Sequence, residues 1–294
     1  MKVLVTGRAG QLVRSLVERS AGVPELEIAA LGRPELDLEV PGSAAAAVRR
    51  AAPDVVINAA AYTAVDLAED EPERAMRING DAAGEIAAAA REVGAAIVQI
   101  STDYVFDGRR PTPYREDAST APLGAYGRSK LAGEEQVRRS NPDHLILRTA
   151  WVYSPFGQNF VKTMMRVAQS RGEITVVADQ QGNPTSALDL ADALLAVLER
   201  CRHGERTGLG SAYHLAGTGS TSWFGFAEAI FQECRALGFP AAEVRPIRTS
   251  DWPTKAVRPT NSRLDSSRFA ADFAFAMPHW RQSLGEVVRR LGAS

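Results

Sequence analysis

Tyr126-Gly127-Arg128-Ser129-Lys130 sets a phenol and an ammonium four residues apart, a spacing that stacks both side chains on one helix face. A phenol with a pKa of about 10 is a poor acid at neutral pH, and a neighbouring ammonium makes its ionised form more accessible. Such a pair can give a proton to a carbonyl oxygen while hydride reaches the carbon. The spacing also occurs by chance in many helices, so its meaning depends on what surrounds it. Two further segments bear on it: Ser101-Thr102-Asp103-Tyr104 upstream and Gly7-Arg8-Ala9-Gly10 near the start.

The elements that must position these residues alternate between strand-like and helix-like segments, the pattern of a parallel sheet covered by helices. Strands are expected at residues 3–6, 27–31, 54–59, 96–100 and 145–149, and helices at 11–19, 43–51 and 73–93, with Pro72 in the first turn of the last. Tyr126 and Lys130 fall on a helix after a proline-bearing loop, 108–124. Ligands of such sheets bind beyond the carboxyl ends of the strands, which points to the polar residues just past Ile100. The expected fold is a Rossmann-type doubly wound α/β sheet. Residues 1–150 would form a dinucleotide-binding domain and 151–294 a smaller, mainly substrate-binding α/β domain. A strand near 212–216 would return to the first. In the second half, helices are expected at 160–171, 188–200, 223–237 and 282–291, a short strand at 174–177, and loops over a site at 246–262.

Gly7-x-x-Gly10, between a strand and a helix, suits a phosphate-binding turn. Glycine allows a tight turn and close approach to a pyrophosphate, whose charge then faces a helix N-terminus. Val13 stands where a third glycine would permit close helix–strand packing, so the helix should sit slightly outward or at a changed angle. The second strand ends in Leu31-Gly32-Arg33-Pro34, with no acid at its first positions to take ribose hydroxyls. Arg33 there favours NADPH over NADH, the alternative being a solvated loop arginine. Asp37 and Leu38 could flank an adenine.

A formal net charge of −1 with 23% charged residues gives no electrostatic case for a nucleic-acid or membrane partner. Two cysteines, Cys201 and Cys234, are too few for a disulfide framework and lack metal-like companions. Reduced thiols in the cytoplasm are expected. Four scattered histidines, His144, His203, His214 and His279, predict no catalytic metal. Met1 leads directly into a short strand, without the apolar region of a signal peptide, and no run is long enough to span a bilayer.

The Ser101–Phe106 string followed by Tyr126-x-x-x-Lys130 resembles the extended short-chain dehydrogenase/reductase family. Within it, six segments are similar to the dTDP-4-dehydrorhamnose reductases: 58–66, 101–106, 126–134, 148–153, Asp179-Gln180-Gln181-Gly182-Asn183-Pro184-Thr185, and Arg258-Pro259-x-Asn261-Ser262-Arg263-Leu264. They run in family order over essentially the whole chain. The resemblance implies NADPH-dependent reduction of the C4 ketone of a dTDP-linked 6-deoxyhexose to dTDP-L-rhamnose. Tyr126 would be the proton donor, Lys130 would hold the nicotinamide ribose, and Thr102 would orient the substrate oxygen. It also implies Gly10, Gln11 and Leu12 on the pyrophosphate and Ala61, Tyr62 and Thr63 along the ribose. Asp103, Trp151 and Asn159 would meet the sugar nucleotide, with Arg258 and Arg263 clamping its diphosphate. Two alternatives stand beside it. One is a non-catalytic regulatory subunit of the methionine adenosyltransferase type; the other is a reductase or epimerase for another nucleotide deoxysugar. The expected partner is a small nucleotide sugar, with homodimer formation left open.

Overall fold

Val3-Leu4-Val5 and Val55-Val56-Ile57 are unbroken apolar runs, which a sheet can hold only where both faces are covered. They form neighbouring central strands, β1 (Lys2–Thr6) and β3 (Val55–Asn58), in the computed structural model, which describes residues 1–293. With β2 (Glu27–Leu31), β4 (Ala96–Thr102), β5 (His144–Thr149) and the Ser211–His214 strand, they make one six-stranded, wholly parallel sheet. Its order is β2-β1-β3-β4-β5 and then Ser211–His214. The chain therefore winds away in opposite directions from β1, and the crevice of a doubly wound sheet opens above the carboxyl ends of β1 and β3.

Helices α1 (Gln11–Ser20), α2 (Ser43–Ala51), α3 (Pro72–Met76), α4 (Ala82–Glu92) and α5 (Ala125–Ser140) follow the strands. An alanine-rich core of Ala44, Val48, Ala83, Ile86, Ala90 and Val137 lies on one face of the sheet. On the other, Leu16, Leu190, Leu194 and Leu198 pack with Tyr213 and Phe269. The helix expected over 73–93 is continuous but contains a five-residue π-turn, Arg77–Asp81. That turn carries the buried Asn79, which grips both the N–H and the carbonyl of Tyr62 and donates to the Ser129 hydroxyl on α5. Mid-helix π-turns of this kind often mark functional regions.

The second half builds its own apolar cluster from Tyr153, Phe226, Ile230, Phe231, Trp280 and Leu284. There, Glu173–Val177 pairs in parallel with Glu243–Ile247, a strand that begins before the segment expected to be loops and runs into it. A short helix, Ser267–Phe273, also stands where none is expected. The Ala187–Arg202 helix and the Ser211–His214 strand return to the first sheet, so the chain passes between the two layers more than once. Among the described residues no helix is long and apolar enough to cross a membrane.

Candidate active site

A cavity of about 770 Å³ opens above the carboxyl ends of β1, β3, β4 and β5. Gly7, in the left-handed region at φ +98°, turns the chain out of β1. Gly10 then caps α1 with no side chain over the helix end. The first N–H groups of α1 are thus free of a side-chain cap and open on the cavity with Gln11 and Leu12, the arrangement that receives a phosphate. A methyl group on Gly7 would meet Val13 Cγ2 at 3.4 Å and Ala60 Cβ at 3.6 Å. Val13 is buried in the core beside Gly7 and Gly10. Ala61 and Thr63 line the cavity, whereas Tyr62 points away into the core and donates to Glu71 at 2.7 Å.

Thr102 ends β4, and its hydroxyl caps the next turn by accepting from the Tyr104 N–H at 3.2 Å while donating to Asp103 Oδ1 at 2.9 Å. The same hydroxyl faces the phenol of Tyr126. Tyr104 crosses Tyr126 edge to face, ring centroids 5.6 Å apart. Gly127 makes that approach feasible, since any Cβ there would collide with the Tyr104 carbonyl and Pro122. Burial raises the Tyr126 pKa above the ordinary phenol value; the Thr102 hydrogen bond opposes this, and the Asp103 and Tyr104 charges add to it. Lys130 is buried and donates from Nζ to the Ile100 carbonyl at 2.6 Å. Burial pulls its pKa down to about 8, against the field of Glu134. Desolvation dominates at the phenol, which keeps its proton at neutral pH. A proton donor needs that state.

Asp103 is buried, and its Oδ2 has no hydrogen-bond partner among the described residues. Burial pushes its pKa up to about 6, with Ser262 and Thr102 opposing. Trp151 lines the cavity with a positive φ of 47°, uncommon for a bulky residue. Its indole lies against Gly182, where a side chain would collide with it, and stacks on Trp223.

A second hollow of about 530 Å³ adjoins the first, sharing Tyr104 and Trp223. Arg258 lines it, donating to the Tyr104 hydroxyl at 3.0 Å and to Asp66 at 2.6 Å. Other expected residues lie elsewhere. Arg263 is held by Asn261 Oδ1 and the Pro111 carbonyl beside a separate depression, apart from Arg258. Asn159 caps the Phe160–Val167 helix and fastens Gln11 Oε1 at 3.0 Å, so it braces the phosphate turn. Leu38 is buried in the alanine-rich core, and Asp37 Oδ1 accepts from the Glu39 N–H. Arg33 is 70% exposed, 3.7 Å from Glu39, at the rim beyond β2. Asp66, Tyr104 and Trp223 were not singled out from the sequence. Tyr104 carried a signal, since it follows Thr102 and Asp103 directly, and so did Asp66, which closes the 58–66 segment; Trp223 carried none, because only the fold brings it in. Among the described residues no three His, Cys, Asp or Glu side chains form a metal-binding group.

The family model described as RmlD substrate binding domain matches residues 1–293. A dTDP-4-dehydrorhamnose reductase of Sinorhizobium fredii is 43% identical over 98% of this chain and 97% of its own length. One of Burkholderia thailandensis is 44% identical over 99% of each. The crystal structure of a dTDP-4-dehydrorhamnose reductase from Clostridium acetobutylicum superposes with a TM-score of 0.91 at 38% identity, covering 99% of this chain and 100% of that one. The Bacillus anthracis reductase, solved in complex with NADP, gives 0.88 at 37% identity, covering 97% and 98%. A UDP-glucuronic acid 4-epimerase from Bacillus cereus shares the fold alone, at 17% identity. A glycine turn, a Thr–Tyr–Lys constellation and full-length similarity above 40% agree, and the chain belongs to the dTDP-4-dehydrorhamnose reductase family.

Proposed function

We propose that this chain reduces the C4 ketone of a dTDP-4-dehydro-6-deoxy-L-hexose, dTDP-4-dehydrorhamnose foremost, with NADPH as reductant. The observation that carries the reading is the convergence of Thr102, Tyr126 and Lys130 on one wall of the 770 Å³ cavity whose other wall is the Gly7–Leu12 turn. The cradle fits a dinucleotide: an uncapped helix N-terminus, a glycine at positive φ, and small residues at Ala59, Ala60 and Ala61.

NADPH, when bound, supplies the hydride. Its pyrophosphate would lie on Gly10, Gln11 and Leu12, its ribose along Ala61 and Thr63, and its 2′-phosphate near Arg33. Lys130, charged below about pH 8, would hold ribose hydroxyls. Thr102 would hold the ketone oxygen in reach of the Tyr126 phenol, and Tyr126 would give that oxygen its proton. General acid help of this kind contributes roughly 10²- to 10⁴-fold. Asp103 and Trp151 would meet the sugar, and Arg258 in the adjoining hollow the diphosphate. The edge-to-face Tyr104 fixes the phenol between them.

The test is NADPH consumption with a small panel of dTDP-, UDP- and GDP-linked 4-keto sugars. Turnover with the dTDP-4-keto-6-deoxy-L-sugar well above the rest supports the reading. Binding of NADPH without turnover on any sugar would overturn it.

A further inference from the structure

The helix bearing Tyr126 and Lys130 continues one turn to Glu134, whose side chain is fully buried against Arg148, itself only 4% exposed. Glu134 Oε1 accepts from the Ser101 hydroxyl at 2.6 Å and from Arg148 Nε at 2.9 Å. Its Oε2 accepts from Arg148 Nη2 at 2.7 Å and Arg138 Nη2 at 3.1 Å. Ser101 directly precedes Thr102 on β4, and Arg148 lies on the neighbouring β5, where Thr149 pairs with Thr102. One carboxylate therefore joins α5, β4 and β5 at the level of the reacting groups. A buried ion pair is a poor way to gain stability, because apolar residues of similar volume often serve as well or better.

We propose that Glu134 is a positioning residue for the reduction and acts through Lys130: its carboxylate locks the Tyr126–Lys130 helix to the Thr102 strand and keeps the buried lysine an ammonium. The kinetic part rests on the reductase reading above; the electrostatic part concerns this chain's own lysine. Lys130 Nζ donates to the Ile100 carbonyl of β4, and the charge that acts on it is Glu134, one turn on, which is itself bonded to Ser101 of β4, Arg138 of its own helix and Arg148 of β5. Asp103 and Tyr104 line the same cavity, and Tyr104 packs on Tyr126. His214, on the next strand, is neutral, since burial pushes its pKa down to about 4. The α3–α4 helix contributes the uncharged Asn79 through Ser129. Burial pulls Lys130 down and Glu134 pushes it back up. Glutamine at 134 removes that support and leaves Arg148 with no anion, so both changes favour the neutral amine.

The chain has four lysines, Lys2, Lys130, Lys162 and Lys255, so each Cε resonance of ¹³C-lysine-labelled protein can be followed across pH. In the parent, Lys130 should titrate near 8, below the ordinary lysine value of about 10.4. Glu134→Gln should lower the Lys130 midpoint by about one pH unit or more, a roughly tenfold fall in its charged-to-neutral ratio. The alkaline limb of NADPH oxidation should move with it. Glu134→Asp keeps the charge but shortens the reach to Ser101. It should leave the midpoint within about half a unit and lower kcat at least about threefold, at little cost in KM. An unmoved Lys130 midpoint in Glu134→Gln overturns the proposal. If that variant does not fold, Glu134→Asp decides: parental kcat, or a midpoint displaced despite the retained charge, overturns it. A parent that titrates as stated but turns over no 4-keto sugar would count against the reductase reading and leave the electrostatic part standing.

Discussion

Trp151 and Trp223 lie face to face, ring centroids 3.6 Å apart and planes within 8°, one following β5 and the other opening a helix of the second half. Both line the main cavity, and Trp223 continues into the adjoining hollow. The pair therefore joins the wall that holds the reacting groups to the wall that belongs to the second half. Stacked aromatic pairs contribute about 0.5–1.5 kcal/mol beyond their buried area. Trp223→Ala should free the Trp151 indole and raise KM for the sugar nucleotide about 5- to 10-fold, with a smaller change in kcat. Steady-state kinetics on both substrates checks this; an unchanged sugar KM would show that the stack does not shape the site.

Asp103 exchanges stability for chemistry. Its folded-state pKa, pushed up to about 6, stands above the ordinary aspartate value of about 3.9. Between those values the folded chain holds a proton that the unfolded chain has lost, so stability falls as pH rises through the window. The loss reaches up to about 3 kcal/mol at neutral pH. Asp103→Asn keeps the acceptor for Thr102 and removes the charge. It should raise Tm at pH 7.5, raise it little at pH 4, and lower turnover at least about tenfold. Thermal unfolding at both pH values with NADPH oxidation at pH 7.5 tests it; equal stability of parent and variant at both pH values would contradict it.

Cofactor choice is expected to rest on the rim beyond β2. Arg33 is held only loosely by Glu39, and Arg8 nearby pairs with Glu35 at 2.9 Å. Arg33→Ala should weaken NADPH about tenfold and leave NADH nearly unchanged, as a lost charge-assisted phosphate contact would. The ratio of the two kcat/KM values measures it, and a parallel fall for both cofactors would argue against a 2′-phosphate role.

Gly127 tests the Tyr104–Tyr126 approach from the backbone side. An alanine there must displace either the Asp103–Val105 turn or the start of α5. Gly127→Ala should cost about 1–3 kcal/mol in stability and lower kcat, since Tyr126 is the adjoining residue. Parental kcat with parental Tm would mean the helix start gives way freely.

What could be read in the sequence follows from how local each feature is. Thr102 sits at a strand end and Tyr126 and Lys130 on a single helix turn, so periodicity and order were enough to bring them together. The glycine turn was equally local, and Val13 packs beside Gly7 and Gly10. Arg263 and Asn159 were assigned by resemblance and Leu38 from its place after the second strand, and each is committed elsewhere by contacts from distant segments: Pro111, Gln11 and the α2–α4 core. Long polar side chains in loops take whatever partner the fold provides, so neighbouring residues do not announce their role. Trp223 went unnoticed for the same reason. The π-turn at Arg77–Asp81 was hidden because its cause, Asn79 bonding to Tyr62 and Ser129, joins three separate segments.

The central claim is that Tyr126 is the acid that completes reduction of the ketone. Burial holds its phenol protonated at neutral pH, with the Thr102 hydroxyl beside it. Phenylalanine keeps the ring and its edge-to-face contact with Tyr104 while removing the proton. The most direct measurement is the single-turnover rate of NADPH oxidation by Tyr126→Phe with dTDP-4-dehydrorhamnose at saturating substrates, beside its Tm. The account predicts a rate about 10²- to 10⁴-fold below the parent with Tm nearly unchanged; a rate within a few-fold of the parent in the folded variant would contradict it.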